Sequence, residues 1–305
     1  MKTILLSIII LVSSCSKSSY EWIDYSKTDG LFKIDASKKF EVFSTSPTPA
    51  SIERTIKNLE QAKAFYDEIF NENLAFVVLF IDNPNWNKYA FSPPPGMPQA
   101  YYEGVVVLGL NNSVMALQGR EMFNHMPEKE MEALKESFGP ELNLDLFFRD
   151  ALSLHELGHL YQFYKTGKGS QRRWLSELFG NMCQIAAADS FEDKSTLNHM
   201  ETYQNMVSKM SKGYKPPFNT LKQFESNYLE IIQTGSNYGW YQIQFYQTAK
   251  KLLSLKGKSI LPKFRDFLIE SDVDNVGSLN DNEFDLLLEE NFDEETLTLL
   301  HSIVK

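Results

Sequence analysis

Apolar and polar positions change rhythm along the chain, and the changes divide it into elements. Phe40–Phe43 is a short alternating run suited to a strand. After Pro47 and Pro49, Ser51 can cap a helix running to about Phe70, with Ile52, Ile56, Leu59, Ala62 and Tyr66 on one face. Leu74–Ile81 is continuously apolar, β-branched and aromatic, as a buried strand is, and Glu103–Leu110 is a second such run. Between them Asp82–Tyr102, with Pro93-Pro94-Pro95-Gly96, reads as a long loop. From Asp145 to Tyr164 the spacing of Phe148, Leu152, His155 and His159 predicts one helix, which Gly167 and Gly169 end. A second helix opens at Gln171–Trp174. Helical spacing continues over Thr196–Met210, Leu221–Ile232, Tyr238–Leu255, Ile260–Glu270 and two short helices beyond. The fold class is therefore α+β: a small N-terminal β-sheet subdomain with a long helix over 36–142, then a mainly helical subdomain over 143–305.

The first residues belong to targeting. Lys2 supplies a positive start, Ile4–Val12 is too short to span a bilayer as a mature helix, and Val12-Ser13-Ser14-Cys15 resembles a bacterial lipobox. Residues 1–14 are thus expected as a lipoprotein signal peptide, Cys15 as the lipidated residue, and 15–35 as a tether, polar over Ser16–Ser26. Such an anchor places the protein at the cell envelope, outside the cytoplasm. The net charge of −10 argues against nucleic acid and against electrostatic adhesion to anionic lipid, so the anchor must be the lipid. With Cys15 acylated no disulfide can form within one chain, and Cys183, beside Met182 and Ile185, reads as a small core residue.

The chemistry is concentrated in His155-Glu156-Leu157-Gly158-His159. Histidines at i and i+4 on a helix face the same way, one turn apart, so both imidazoles can bind one metal ion. Glu156 projects beside that ion, where it can take a proton from water. Helix, short turn and helix make an antiparallel hairpin, which returns Glu177, the one acidic residue in Trp174–Ala188, as a third ligand. Two histidines, one carboxylate and an open fourth position describe a catalytic Zn2+ site. Asn181, four residues on, is placed to hydrogen-bond the free ring nitrogen of His155. His125, His199 and His301 lack partners at ligand spacing and read as surface residues.

These residues, followed by Trp174-Leu175-Ser176-Glu177-Leu178-Phe179-Gly180-Asn181, resemble the gluzincin clan of zinc metallopeptidases, peptidase MA-like. The likeness is specific over about Leu144–Ala188 and elsewhere follows only the order of elements. It implies a zincin-like cleft between the two subdomains, a peptide or protein substrate, and a rim strand that binds the substrate extended. Val105–Leu110 is the candidate rim, and reads equally as an internal strand. The resemblance also implies an oxyanion donor near the start of the Tyr238–Leu255 helix, Tyr238 first and Tyr241 second, although both also suit cleft wall or core. A different reading makes the chain a non-catalytic envelope lipoprotein that uses the same fold as a binding or scaffold module. Lastly, Asp272–Glu283 matches a calcium loop at its first, third, sixth, eighth and twelfth positions, but Val276 occupies the fifth, and a capped inter-helix loop explains the same residues.

Overall fold

The computed structural model describes residues 21–304 apart from 93, 167–169 and 234. The signal peptide, Cys15, the first part of the tether and the glycines of the break therefore lie outside the described residues. The fold is α+β, largely helical, with one mixed five-stranded sheet.

The sheet contains β1 (Phe32–Ile34), β2 (Glu41–Ser44), β3 (Val77–Ile81), β4 (Gln99–Tyr101) and β5 (Val105–Gly109), in spatial order β1-β2-β3-β5-β4. The inner pairs β2/β3 and β3/β5 are parallel, while β1 and β4 are antiparallel edges. Every residue of β3 and β5 is buried, because both faces of these central strands are covered. Alternation sends Val78, Phe80, Val106 and Leu108 into the main core against the helices. Val77, Leu79, Ile81, Val105 and Val107 point the other way, against Ile23, Trp86 and Tyr89.

That second cluster corrects the tether. Trp22 Nε1 donates to the Ala75 carbonyl at 2.8 Å, Ile23 is buried, and β1 pairs with β2, so residues 22–34 belong to the fold. The Asp82–Tyr102 stretch is likewise not all loop. It contains α2 (Trp86–Tyr89) and the edge strand β4. Because β4 lies outside β5, the Val105–Leu110 run is an internal strand and the edge strand on this side is Gln99–Tyr101. Ser51 does not cap the long helix α1 (Glu53–Ile69): it sits at φ 60°, the cap position is Ile52, and the Ser51 carbonyl accepts from Arg149 Nη2 at 2.9 Å.

The helices α3 (Val114–Phe123) and α4 (Glu128–Phe138) lead to the segment expected as a single helix from Asp145. It begins instead as a π-helical turn, Leu146–Ala151, and becomes α-helical as α5 (Leu152–Thr166). The buried side chains of the wide turn have their own partners. Asp150 accepts from Thr55 Oγ1 at 2.5 Å and from Arg149 Nε at 3.0 Å, and Phe147 stacks on Tyr203. Beyond follow α6 (Arg173–Ser190), α7 (Ser195–Met210), α8 (Leu221–Ser226), α9 (Tyr228–Gln233), α10 (Ser236–Lys256) and α11 (Ile260–Glu270). The expected Leu221–Ile232 helix is split at Asn227, whose backbone leaves the helical region. His199 is not at the surface: α4 covers it, and its ring stacks on Phe138 at 5.4 Å. His125 and His301 are exposed.

The calcium-loop residues form α12 (Val273–Val276) and the start of α13 (Asp281–Asn291), with α14 (Glu294–His301) closing the fold. Asp272 caps α12, and Asn280 with Glu283 forms a capping box on α13. Among the described residues no helix is long and apolar enough to cross a membrane.

Candidate metal centre

The helices α5 and α6 pack as the expected antiparallel pair, and two glycines set how closely. A Cβ on Gly158 would lie 2.6 Å from Cys183 Cβ, and one on Gly180 would lie 2.7 Å from the His155 ring. Cys183 is fully buried, as expected of a core residue. The close approach brings Glu177 to the histidines. His155 Nε2 and His159 Nε2 are 2.9 Å apart, and Glu177 Oε2 is 3.5 Å from His155 Nε2. The three ligand atoms lie within 4.8 Å of one another, and among the described residues no other group of three or more such side chains can hold a metal ion. Nδ1 of each histidine is buried without a hydrogen-bond partner.

Burial and mutual charge set the protonation of the group. Burial works against the charged form of His155, yet its hydrogen bond to Glu177 and the nearby carboxylates outweigh it and raise the pKa. Burial and the His155 charge hold His159 down to about 4. Glu177 loses solvation too, but its bond to His155, the two imidazoles and Gln242 bring it to about 2. Glu156 has no such set of donors. Burial, with the Glu177 charge adding, pushes it up to about 7 against the opposing effects of His155 and the Ala100 backbone N–H. That N–H belongs to the edge strand β4, so the Glu156 carboxylate is tied to the outer strand of the sheet.

Asn181 does not reach His155. Its Nδ2 donates to the Glu177 carbonyl at 2.9 Å and to Gln242 Oε1 at 3.0 Å, and Gln242 Nε2 donates to Glu177 Oε2 at 2.7 Å. The helix is turned so that Asn181 supports the carboxylate through α10 rather than an imidazole. Of the two tyrosines, Tyr238 is at the centre, its hydroxyl 3.2 Å from Glu177 Oε2. Tyr241 is not. It is fully buried and donates to the Thr220 carbonyl at 2.8 Å, as a core aromatic.

Comparison with protein-family models, with curated proteins and with solved structures found no match. What can be said of the chemistry therefore rests on the donor set and its surroundings.

Three neighbours were missed in the sequence. Gln242 follows Tyr238 by four residues, so helical spacing places it on the same face. Tyr228 adds an acid-side neighbour: burial raises its pKa and the Glu177 and Glu156 charges act on it from nearby. Phe163, one turn after His159, stacks on that ring at 5.4 Å and is itself covered by Tyr102 at 4.2 Å. An aromatic at i+4 from a ligand was visible in the chain, but Tyr102 arrives through the sheet and carried no local signal.

Proposed function

We propose that the chain is a zinc metallopeptidase of the gluzincin type, in which His155, His159 and Glu177 hold Zn2+ and Glu156 is the general base. The observation that carries this is the convergence of two buried histidines and the partly buried Glu177 with a second carboxylate, Glu156, beside them. Zinc bonds of about 2.0–2.2 Å separate tetrahedral ligand atoms by roughly 3.3–3.5 Å. Two of the three spacings, 2.9 and 3.5 Å, are close to that, and all three lie within 4.8 Å. Two imidazoles and one carboxylate also leave a position for water or substrate, the pattern of a catalytic site.

When bound, zinc polarises the scissile carbonyl and makes water acidic enough to attack near neutral pH. Glu156 takes the proton of the attacking water and delivers it to the leaving amine, and burial, which favours its neutral form, helps it to hold that proton between the two transfers. Tyr238 exchanges its hydrogen bond on Glu177 for one to the developing oxyanion, a contact worth about 2.7–4 kcal/mol in enzymes where such donors were removed. On this reading an extended peptide adds alongside the edge strand β4, next to Glu156. The sheet side, 22–142, and the helical side, 143–304, then form the two walls of a cleft. Lipidation at Cys15 holds the enzyme at the cell envelope, outer membrane or cell surface. Glu156→Gln tests the function: the variant keeps its zinc and loses peptide hydrolysis.

A further inference from the structure

On the reading that Glu177 is a metal ligand, we infer that Gln242, held by Asn181, is a positioning residue for that ligand, so that α10 builds the centre together with α5 and α6. The three side chains form a closed ring of hydrogen bonds. It runs from Asn181 Nδ2 to Gln242 Oε1 and from Gln242 Nε2 to Glu177 Oε2, and returns through Asn181 Nδ2 to the Glu177 carbonyl. The ring has a direction. A carbonyl accepts only, so Asn181 must present its NH2 group to the Glu177 backbone, and the same group then meets the Gln242 oxygen. Gln242 is left with its NH2 group facing the carboxylate, the orientation a ligand carboxylate requires.

The chemistry of the donors fits this role. Gln242 and Tyr238, one turn apart on α10, both donate to Glu177 Oε2, and both are neutral. A lysine or arginine there would answer the Glu177 charge and compete with a cation for it, whereas an amide and a hydroxyl fix the carboxylate and leave its charge available. Asn181 is buried, with 3 % exposure, and this ring accounts for its polar group in the core.

Zinc binding by the full chain, measured by chelator competition, separates the possibilities. Gln242→Met keeps length and volume but removes the donor, and is expected to bind zinc about 10–100-fold more weakly while melting as cooperatively as the wild type. Its cobalt-loaded form should show a shifted visible absorption spectrum, which a purely structural role would leave alone. Adding Asn181→Leu should weaken zinc little further, because both act through one bond. Wild-type zinc affinity and cobalt spectrum in Gln242→Met would overturn the inference and leave the metal centre standing. A wild-type chain that binds no zinc would overturn both. If Gln242→Met does not fold, Asn181→Leu alone serves: several-fold weaker zinc supports the ring, and unchanged affinity removes it.

Discussion

Two stretches of this chain carry the spacing of a metal site, and the fold treats them in opposite ways. Along Asp272–Glu283 the polar side chains are engaged by backbone and surface charges. Asp272 Oδ1 accepts from the Asp274 N–H at 2.9 Å, Asn280 and Glu283 cap α13 reciprocally, and Asp281 meets Arg172 and Lys222. Of the buried side-chain atoms here, Asp272 Oδ2 alone is left without a partner, and burial raises that carboxyl rather than priming it to hold a cation. In the α5/α6 pair the same kinds of group face one another out of water, with Glu177 held ionised near 2 and Glu156 pushed to about 7. Spacing proposes a site. What distinguishes a site is charge that the fold gathers and does not answer with its own backbone.

The comparison is broken most forcefully at a ligand. His159→Ala or Glu177→Ala should weaken zinc by more than the ~100-fold that loss of a supporting residue can cost, and peptide hydrolysis should disappear with it. Titration calorimetry on the full chain checks this. By contrast Asp272→Ala should leave zinc binding unchanged.

Glu156 sharpens the contrast through stability. Its folded pKa, about 7, lies above its usual 4.5, so its contribution is full below 4.5 and is lost as pH rises through 7. Replacing it with the neutral Gln removes that loss. Metal-free Glu156→Gln should match the wild type at pH 4 and exceed it at pH 8 by on the order of 3 kcal/mol, read from denaturant melts at both pH values.

The other stretch should respond as a cap. Asn280→Ala is expected to lower stability by about 1 kcal/mol, with calcium adding nothing to the melting temperature of the wild type, whereas zinc raises it. A calcium-dependent rise would restore the loop as a binding site.

The smallest effect falls on His199. Buried against Phe138, with the Arg54 charge adding, it has a pKa below 6.5, so the unfolded chain binds the extra proton as pH falls through 6.5 and stability is lost there. His199→Gln should flatten that acid limb in melts between pH 7 and 5.

Local periodicity explains what was legible. His155, Glu156 and His159 share one helix, and Glu177 follows from a short hairpin, so spacing alone placed them. Gln242 reaches Glu177 only because α10 packs on α6, a contact no local pattern encodes. Asn181 was put on the right face with the wrong partner, since a modest helix rotation decides between an imidazole and a carboxylate. The strands β3 and β5 stood out as unbroken apolar runs, but β4, three residues inside a proline-rich stretch, did not, so Val105–Leu110 read equally as an edge and as the internal strand it is. Trp22 and Ile23 looked like tether because the sheet face they cover is assembled from distant strands.

On the proposed reading one metal ion at His155, His159 and Glu177 works with Glu156 as its base. That reading is tested most directly by hydrolysis of a peptide library by the wild type and Glu156→Gln, each with its zinc content measured in the same preparation. One zinc per chain is expected in both, with cleavage only by the wild type. Zinc-loaded Glu156→Gln cleaving as fast as the wild type, or a wild type without zinc, would contradict it.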